Sequence, residues 1–170
     1  MYLYGVIDMR FLKRFNIILL KLAGWSVMFF IASIALIIPY EVFGRYVLGN
    51  MEMWANEFSQ YALVWASMMG GAVGLKRGYQ VGITTLIERL PPAPAKVVQA
   101  SGYAAMLVFL AFMTYYGMVQ TIINQNQTSS TLGISMSIPY AALPVGFFIM
   151  FFLTVEQLAD FLHSAPAGRE

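Results

Sequence analysis

The chain has 170 residues, of which 59% are hydrophobic and 11% are charged, and its formal net charge is +2. Soluble domains carry about 25% charged residues, so this composition excludes an ordinary soluble domain and indicates a protein embedded in membrane lipids. The chain has no cysteine and one histidine, which excludes disulfides, thiolate metal sites and haem held by paired histidines. We therefore expect no metal and no cofactor in this chain, and the small net charge gives no sign of nucleic-acid binding.

The N-terminal segment mixes apolar and basic residues and leads into the first predicted membrane helix, at about 17–43. Residues 22–40 carry no charge, and about 20 apolar residues are enough to cross the hydrocarbon. This stretch is longer than the apolar core of a cleaved signal peptide, so we interpret the helix as retained. Two readings of the basic lead-in remain open: a short amphipathic helix on the cytoplasmic surface, and a solvated tail.

Four residues in and beside the turn between the first and second predicted helices are interpreted as structural pins of a helical hairpin. Glu41 and Arg45 stand at i and i+4 with the acid first, which favours an ion pair on one helix. Glu57 lies in the first turn of the second predicted helix, at about 55–75, where a negative charge complements the helix dipole. Trp54 precedes it and is typical of an aromatic anchor at the membrane interface.

Small residues repeat every four positions along the second predicted helix. Such a stripe lets a neighbouring backbone approach closely, and close packing drives helix association in lipid. We therefore predict a helix-packing seam here, either within the chain or with a partner subunit. Its members are Ala62, Ala66, Gly70 and Gly74.

The segment at about 79–90 follows the second predicted helix and carries apolar residues on one helical face. Thr85 and Glu88 stand in the spacing of a capping box, and Pro91 and Pro92 end the element. We predict a short helix lying in the cytoplasmic interface.

Residues 97–155 carry no charged side chain and are long enough for two further membrane helices. A polar tract at 124–135 divides them, which predicts helices at about 96–123 and 137–161. Lysine and arginine are concentrated in the N-terminal segment and between the second and third helices, and such segments stay in the cytoplasm. The predicted fold of residues 1–170 is one all-α membrane domain with four transmembrane helices, both termini cytoplasmic, and short interfacial helices before helix 1 and between helices 2 and 3.

Groups that could carry chemistry are scarce in these predicted spans. The stretch 97–155 contains hydroxyl groups but no base to activate them, so we predict no catalytic residues, no metal site and no enzyme. Glu41 and Glu57 are the carboxylates that we consider for an ion site, and both stand at helix ends. One alternative stays open, a small self-assembling proton-coupled exporter that uses Glu41.

The order of several short motifs resembles the small membrane subunit of tripartite ATP-independent periplasmic (TRAP) transporters, the DctQ-like family. The resemblance covers nearly the whole chain. Asn56 stands where the family usually has an acidic residue, and Gln80 and Thr84 stand where histidine and aspartate are common. The matching motifs are Arg45-Tyr46, Trp54-Ala55-Asn56-Glu57, Gly70-Gly71-Ala72, Ile138-Pro139 and Leu143-Pro144-Val145-Gly146.

The resemblance implies a non-catalytic scaffold subunit in the bacterial cell inner membrane. Its expected partners are membrane lipids, a large polytopic membrane subunit in a stable heterodimer, and a periplasmic substrate-binding protein that docks transiently. The large subunit is expected to carry the sodium and substrate sites. The expected cargo is an organic acid of the sialic acid or C4-dicarboxylate type.

Overall fold

Helices make up most of the part of the chain that the computed structural model describes, residues 2–49, 53–87 and 91–163, with side chains described at 10–49, 53–76, 91 and 94–162. No strand occurs in these residues, which confirms the all-α prediction. The elements are α1 (Tyr2–Val47), α2 (Met53–Ile87), α3 (Pro92–Ile123), a 3-10 turn (Asn124–Asn126), α4 (Ser137–Tyr140) and α5 (Ala142–His163).

Both α1 and α2 are longer than predicted, and this corrects the expectation of separate interfacial helices. α1 is continuous for 46 residues, so the basic lead-in belongs to the same helix as the predicted span. α2 is continuous for 35 residues and takes up most of the segment at 79–90, of which residues 88–90 lie outside the described part. Neither junction contains a proline, so each helix continues through its junction without a helix-breaking residue.

Three segments are long and apolar enough to cross a bilayer, by length and composition. α2, over its described residues, is not among them, because its first half holds polar side chains such as Asn56, Gln60 and Ser67. A fourth crossing and the orientation of the termini therefore remain predictions. The three segments are Arg10–Val47, Pro94–Asn126 and Ser137–Leu162.

The helices pack in the order α1, α2, α5 and α3. α1 packs mainly along α2, α3 packs mainly along α5, and α2 and α5 pack on each other. Phe30 of α1 stacks on Trp65 of α2 with ring centroids 6.0 Å apart, and the Trp65 indole N–H donates to the carbonyl of Ile138. The buried core where α1, α2 and α5 meet consists of Ala23, Met69, Ala72, Ile149 and Leu153.

Two glycines allow α5 to approach its neighbours closely. A Cβ added at Gly117 of α3 would lie 3.0 Å from the backbone nitrogen of Pro144. A Cβ added at Gly146 of α5 would lie 2.9 Å from the Cβ of Met68. At both positions the absence of a side chain sets the distance between two helices.

The loop between α3 and α4 folds back on itself. Thr128 and Ser135 form an isolated antiparallel bridge, and the Ser129 N–H donates to the Ile134 carbonyl at 2.8 Å. Gly133 turns the chain with a φ of +65°, a conformation that glycine adopts without steric cost. The loop therefore presents a fixed row of backbone N–H groups at its tip.

Candidate functional site

Glu41 and Arg45 form an ion pair on the last turns of α1. The Arg45 guanidinium lies 2.6 Å from the Glu41 carboxylate, and the side chains are 46% and 12% exposed respectively. An exposed i,i+4 pair of this kind stabilises a helix by only about 0.3–0.5 kcal/mol. The pair holds the end of α1 helical but does not by itself join two elements.

Glu57 joins the first turn of α2 to the loop between α3 and α4. Its carboxylate accepts hydrogen bonds from the backbone N–H groups of Thr131 at 2.9 Å, Leu132 at 3.0 Å and Ser130 at 3.2 Å. The Thr131 hydroxyl also donates to it, as does the Tyr61 hydroxyl at 2.6 Å. Successive backbone N–H groups that converge on one anion form a nest. We call Glu57 with residues 130–132 the Glu57 clasp.

The four residues predicted as hairpin pins therefore occupy two separate arrangements. Glu41 and Arg45 pair with each other, whereas the Glu57 carboxylate binds residues far along the chain. Trp54 is half-buried at the start of α2. A cleft of about 430 Å³ separates the two arrangements, and its lining consists of Glu41, Arg45, Met53, Asn56, Glu57, Gln60 and Thr131.

The small residues predicted as a packing seam do not all face the same surroundings. Ala62 and Ala66 are buried, at 2% and 5% exposure. A Cβ added at Gly70 would lie 3.9 Å from Val27 of α1, and one added at Gly74 would meet nothing within 4 Å. The stripe thus passes from the contact with α1 to an open face of α2, and its role as a subunit seam remains a prediction.

A second polar group, which the sequence analysis missed, joins α1, α2 and α5 at the other end of the helices. The Asn16 side-chain amide donates to the Glu156 carboxylate at 2.6 Å and to the Phe152 carbonyl at 3.1 Å. The Lys76 ammonium lies 3.1 Å from the other Glu156 oxygen. Asn16 and Glu156 are buried, at 1% and 6% exposure. We call Asn16, Lys76 and Glu156 the Glu156 cluster.

The sequence pattern does not reveal the Glu156 cluster, because each member borders an apolar stretch and resembles an ordinary polar residue at the end of a membrane span. Its members are far apart in sequence, with 140 positions between Asn16 and Glu156. A signal was present, since a carboxylate within the predicted helix at 137–161 needs a partner when it is buried. Among the described residues, no group of three or more His, Cys, Asp or Glu side chains could hold a metal ion.

Comparison with known proteins identifies the family. Residues 34–163 match the family model described as "Tripartite ATP-independent periplasmic transporters, DctQ component". The chain belongs to the DctQ family. This confirms the resemblance drawn from the motifs, and it identifies the chain as a DctQ-like small membrane subunit of a TRAP transporter.

Curated relatives of this DctQ chain carry related names. The sialic acid TRAP transporter small permease protein SiaQ of Vibrio cholerae is 25% identical over 131 residues, which cover 77% of this chain and 76% of that protein. The C4-dicarboxylate TRAP transporter small permease protein DctQ of Rhodobacter capsulatus is 30% identical over 111 residues, 64% of this chain and 49% of that protein. The isethionate TRAP transporter permease protein DctMQ of Oleidesulfovibrio alaskensis is 24% identical over 165 residues, 91% of this chain but 24% of that protein.

Proposed function

We propose that this DctQ chain is the non-catalytic scaffold subunit of a sodium-coupled TRAP transporter in the bacterial inner membrane. It binds the large membrane subunit in a stable heterodimer, and that partner carries the sodium and substrate sites. A periplasmic binding protein delivers the substrate and docks transiently. The observation that carries the proposal is the family match, which extends over residues 34–163 and so includes the end of α1 and all of α2, α3, α4 and α5.

Four membrane crossings with both termini in the cytoplasm fit the contacts between the helices. The Glu156 cluster brings together the start of the α1 span, the end of the apolar part of α2 and the end of α5. The Glu57 clasp brings the start of α2 to the loop between α3 and α4. With these ends in contact, the successive helices α1, α2, α3 and α5 run in alternating directions. Because Lys76 and the basic residues in the first part of α1 lie at the Glu156 end, the positive-inside rule favours the cytoplasm there.

A permanent association with the large subunit is supported by the DctMQ relative. Nearly all of this chain, 91%, aligns to 24% of that protein. The segment similar to this chain therefore lies in one polypeptide with the rest of a permease protein. A covalent connection is compatible with function only if the two parts stay together during transport, so we extend the association to this separate chain.

An organic acid is the proposed cargo, and we favour the sialic acid or C4-dicarboxylate type. The relatives are named for sialic acid, C4-dicarboxylates and isethionate, although all resemble this chain to a similar degree. Subunits that are about equally similar to this chain therefore serve different organic anions. This pattern fits a subunit that supports transport without selecting the substrate.

The decisive experiment is purification of the tagged chain from its native membrane in a mild detergent, followed by mass spectrometry of the proteins that accompany it. We expect a much larger polytopic membrane protein in a 1:1 ratio, and loss of sodium-dependent uptake when the gene for the chain is deleted. The untagged strain is the control for non-specific recovery. Recovery of the chain alone, or only as a homo-oligomer, would refute the proposal and favour an exporter built from copies of the chain.

A further inference from the structure

One face of α2 is open in the structure and is more polar than a lipid-facing surface should be. Asn56, Gln60, Leu63, Ser67 and Gly74 are exposed on it, and Gly70 is half-exposed at its edge. We call these six residues the α2 face. The buried side of the helix, which holds Ala62, Ala66 and Met69, packs on the rest of the chain.

The depth of the polar side chains argues against lipid as the final neighbour of the α2 face. Ser67 follows Asn56 by 11 residues, which at 1.5 Å per residue places it about 16 Å further along the helix. The hydrocarbon core is about 30 Å thick, so a helix that starts at the interface near Asn56 carries Ser67 to about the middle of the membrane. Water is not available there to satisfy a polar group.

The Ser67 hydroxyl differs from the other serine and threonine hydroxyls that the structure describes within the long helices α1, α2, α3 and α5. Ser59, two turns earlier on α2, donates to the Ala55 carbonyl at 2.8 Å. Thr114 and Thr154 donate in the same way to the carbonyl four residues before them. Ser67 makes no such bond within the described residues, and its exposed side chain is free to bond outside the chain. A hydroxyl in this position needs a partner that carries a hydrogen-bonding group.

The spacing of the α2 face suits a single neighbouring helix. Its six members follow one another at intervals of four, three, four, three and four positions, the heptad spacing that keeps one stripe in contact with a partner helix. Small side chains at Ser67, Gly70 and Gly74 allow close approach, and hydroxyl and amide groups bond across such contacts in membranes. The surface is therefore shaped for a helix rather than for a loop or a ligand.

The outward side of α1 provides a contrast. Trp25, Phe29 and Leu36 are 69%, 65% and 75% exposed there. Large apolar side chains of this kind are what lipid tails surround at no cost, since the tails are as apolar as leucine. The two exposed surfaces thus differ in chemistry. Asn56 and Gln60 of the α2 face bond to each other at 3.5 Å near the end of the helix, whereas Ser67 lies deeper and has no partner of this kind among the described residues.

We propose that the α2 face is the contact surface for one transmembrane helix of the large TRAP subunit. This inference rests on the proposed function. The contacting helix carries small residues along its seam and a hydrogen-bonding side chain or carbonyl opposite Ser67. The same contact completes α2 as a membrane-spanning helix, because it removes the polar face from lipid.

Site-specific photocrosslinking tests the contact directly, because it detects proximity and does not depend on a variant that weakens binding. A benzophenone amino acid replaces Ser67 in one variant and Leu36 in the other, and both chains are irradiated in native membranes. We expect the Ser67 probe to give an adduct with the mass of this chain plus the large subunit, and the Leu36 probe to give no protein adduct. If the wild-type chain recovers the large subunit but the Ser67 probe reacts only with lipid or with a second copy of this chain, the inference is wrong while the proposed function stands. If the wild-type chain recovers no large subunit, both fail.

A bulk substitution adds an independent readout. Ser67→Leu should reduce recovery of the large subunit about tenfold, which corresponds to about 1.4 kcal/mol. The matched control, Ala32→Leu, adds the same leucine to an exposed position of α1 and should leave recovery unchanged. The melting temperature of the isolated chain in detergent should be the same for both variants, because neither position is buried. Equal recovery with Ser67→Leu and Ala32→Leu would contradict the inference.

Discussion

Removal of the Lys76 charge tests whether the Glu156 cluster holds three helices together. In the intact chain the Glu156 carboxylate has two side-chain partners, Asn16 on α1 and Lys76 on α2. Lys76→Met keeps the length of the side chain and its contacts with apolar neighbours but removes the ammonium group. The carboxylate then remains on α5 with one neutral donor. We expect the chain to be clearly destabilised.

The magnitude follows from the geometry. Two unit charges 3.1 Å apart attract each other by about 5 kcal/mol at an effective dielectric constant of 20. The Glu156 side chain is 8% exposed and the Lys76 side chain 31%, so water reaches the lysine but scarcely reaches the carboxylate. Breaking a buried ion pair by removal of one partner costs about 3–5 kcal/mol. Because the lysine is partly hydrated, we expect about 3 kcal/mol for Lys76→Met.

Substitution of the carboxylate should cost less than substitution of the lysine. Glu156→Gln keeps an oxygen that can accept from Asn16, and the partly exposed Lys76 can turn toward water, so the expected loss is about 1 kcal/mol. The double variant contains no charge at the cluster. It should therefore be more stable than Lys76→Met alone, with a coupling of about 2 kcal/mol between the two sites.

Unfolding in mixed detergent micelles, followed by circular dichroism, measures these differences. Lys13→Met is the matched control, because Lys13 pairs with Asp160 at 2.7 Å but the two side chains are 46% and 41% exposed. Exposed pairs contribute about 0–1 kcal/mol, so this variant should be nearly neutral. The reasoning is refuted if Lys76→Met is no less stable than Glu156→Gln, or if the losses of the two single variants simply add in the double variant.

Two further predictions concern the Glu57 clasp and the packing of α5. Glu57→Gln removes one of the two acceptor oxygens of the clasp, so the Thr131 and Leu132 amides should exchange hydrogen several-fold faster. The control, Glu41→Gln, should leave their exchange rates unchanged. Equal exchange rates in both variants would disprove the clasp. Gly146→Ala places a Cβ 2.9 Å from the Met68 Cβ and should cost about 1–3 kcal/mol by overpacking. Gly24→Ala, whose added Cβ meets nothing within 4 Å, should be neutral or slightly stabilising in the same thermal denaturation, and a similar loss in both variants would argue against the close contact.

The local features of the fold could be predicted because they depend on neighbours along the chain. The absence of charge from residues 97–155 located α3 and α5, and the prediction at 96–123 ends at the same residue as α3. The i,i+4 order of Glu41 and Arg45 has its counterpart in their ion pair. The expectation of separate interfacial helices was wrong, because composition shows where a segment can lie but does not show whether it is continuous with the next helix.

The long-range contacts could not be predicted from the sequence alone. The nest that binds Glu57 depends on the turn at Gly133 and on the packing that brings residues 130–132 to the start of α2. The Glu156 cluster likewise requires three helices to meet at one level. Helical periodicity assigns a residue to a face but not to a partner on another helix. Both arrangements are therefore consequences of tertiary packing.

The position of α2 explains why fold and assembly should respond to different substitutions. At one end Glu57 binds the loop between α3 and α4, and at the other end Lys76 binds Glu156 of α5. These polar contacts fix the rotation of α2 and hence the direction in which Ser67 points. A surface that is held in its binding orientation loses less conformational freedom when a partner binds. Substitutions at Glu57 or Lys76 should therefore weaken both the fold and the association with the large subunit, whereas Ser67→Leu should weaken the association alone.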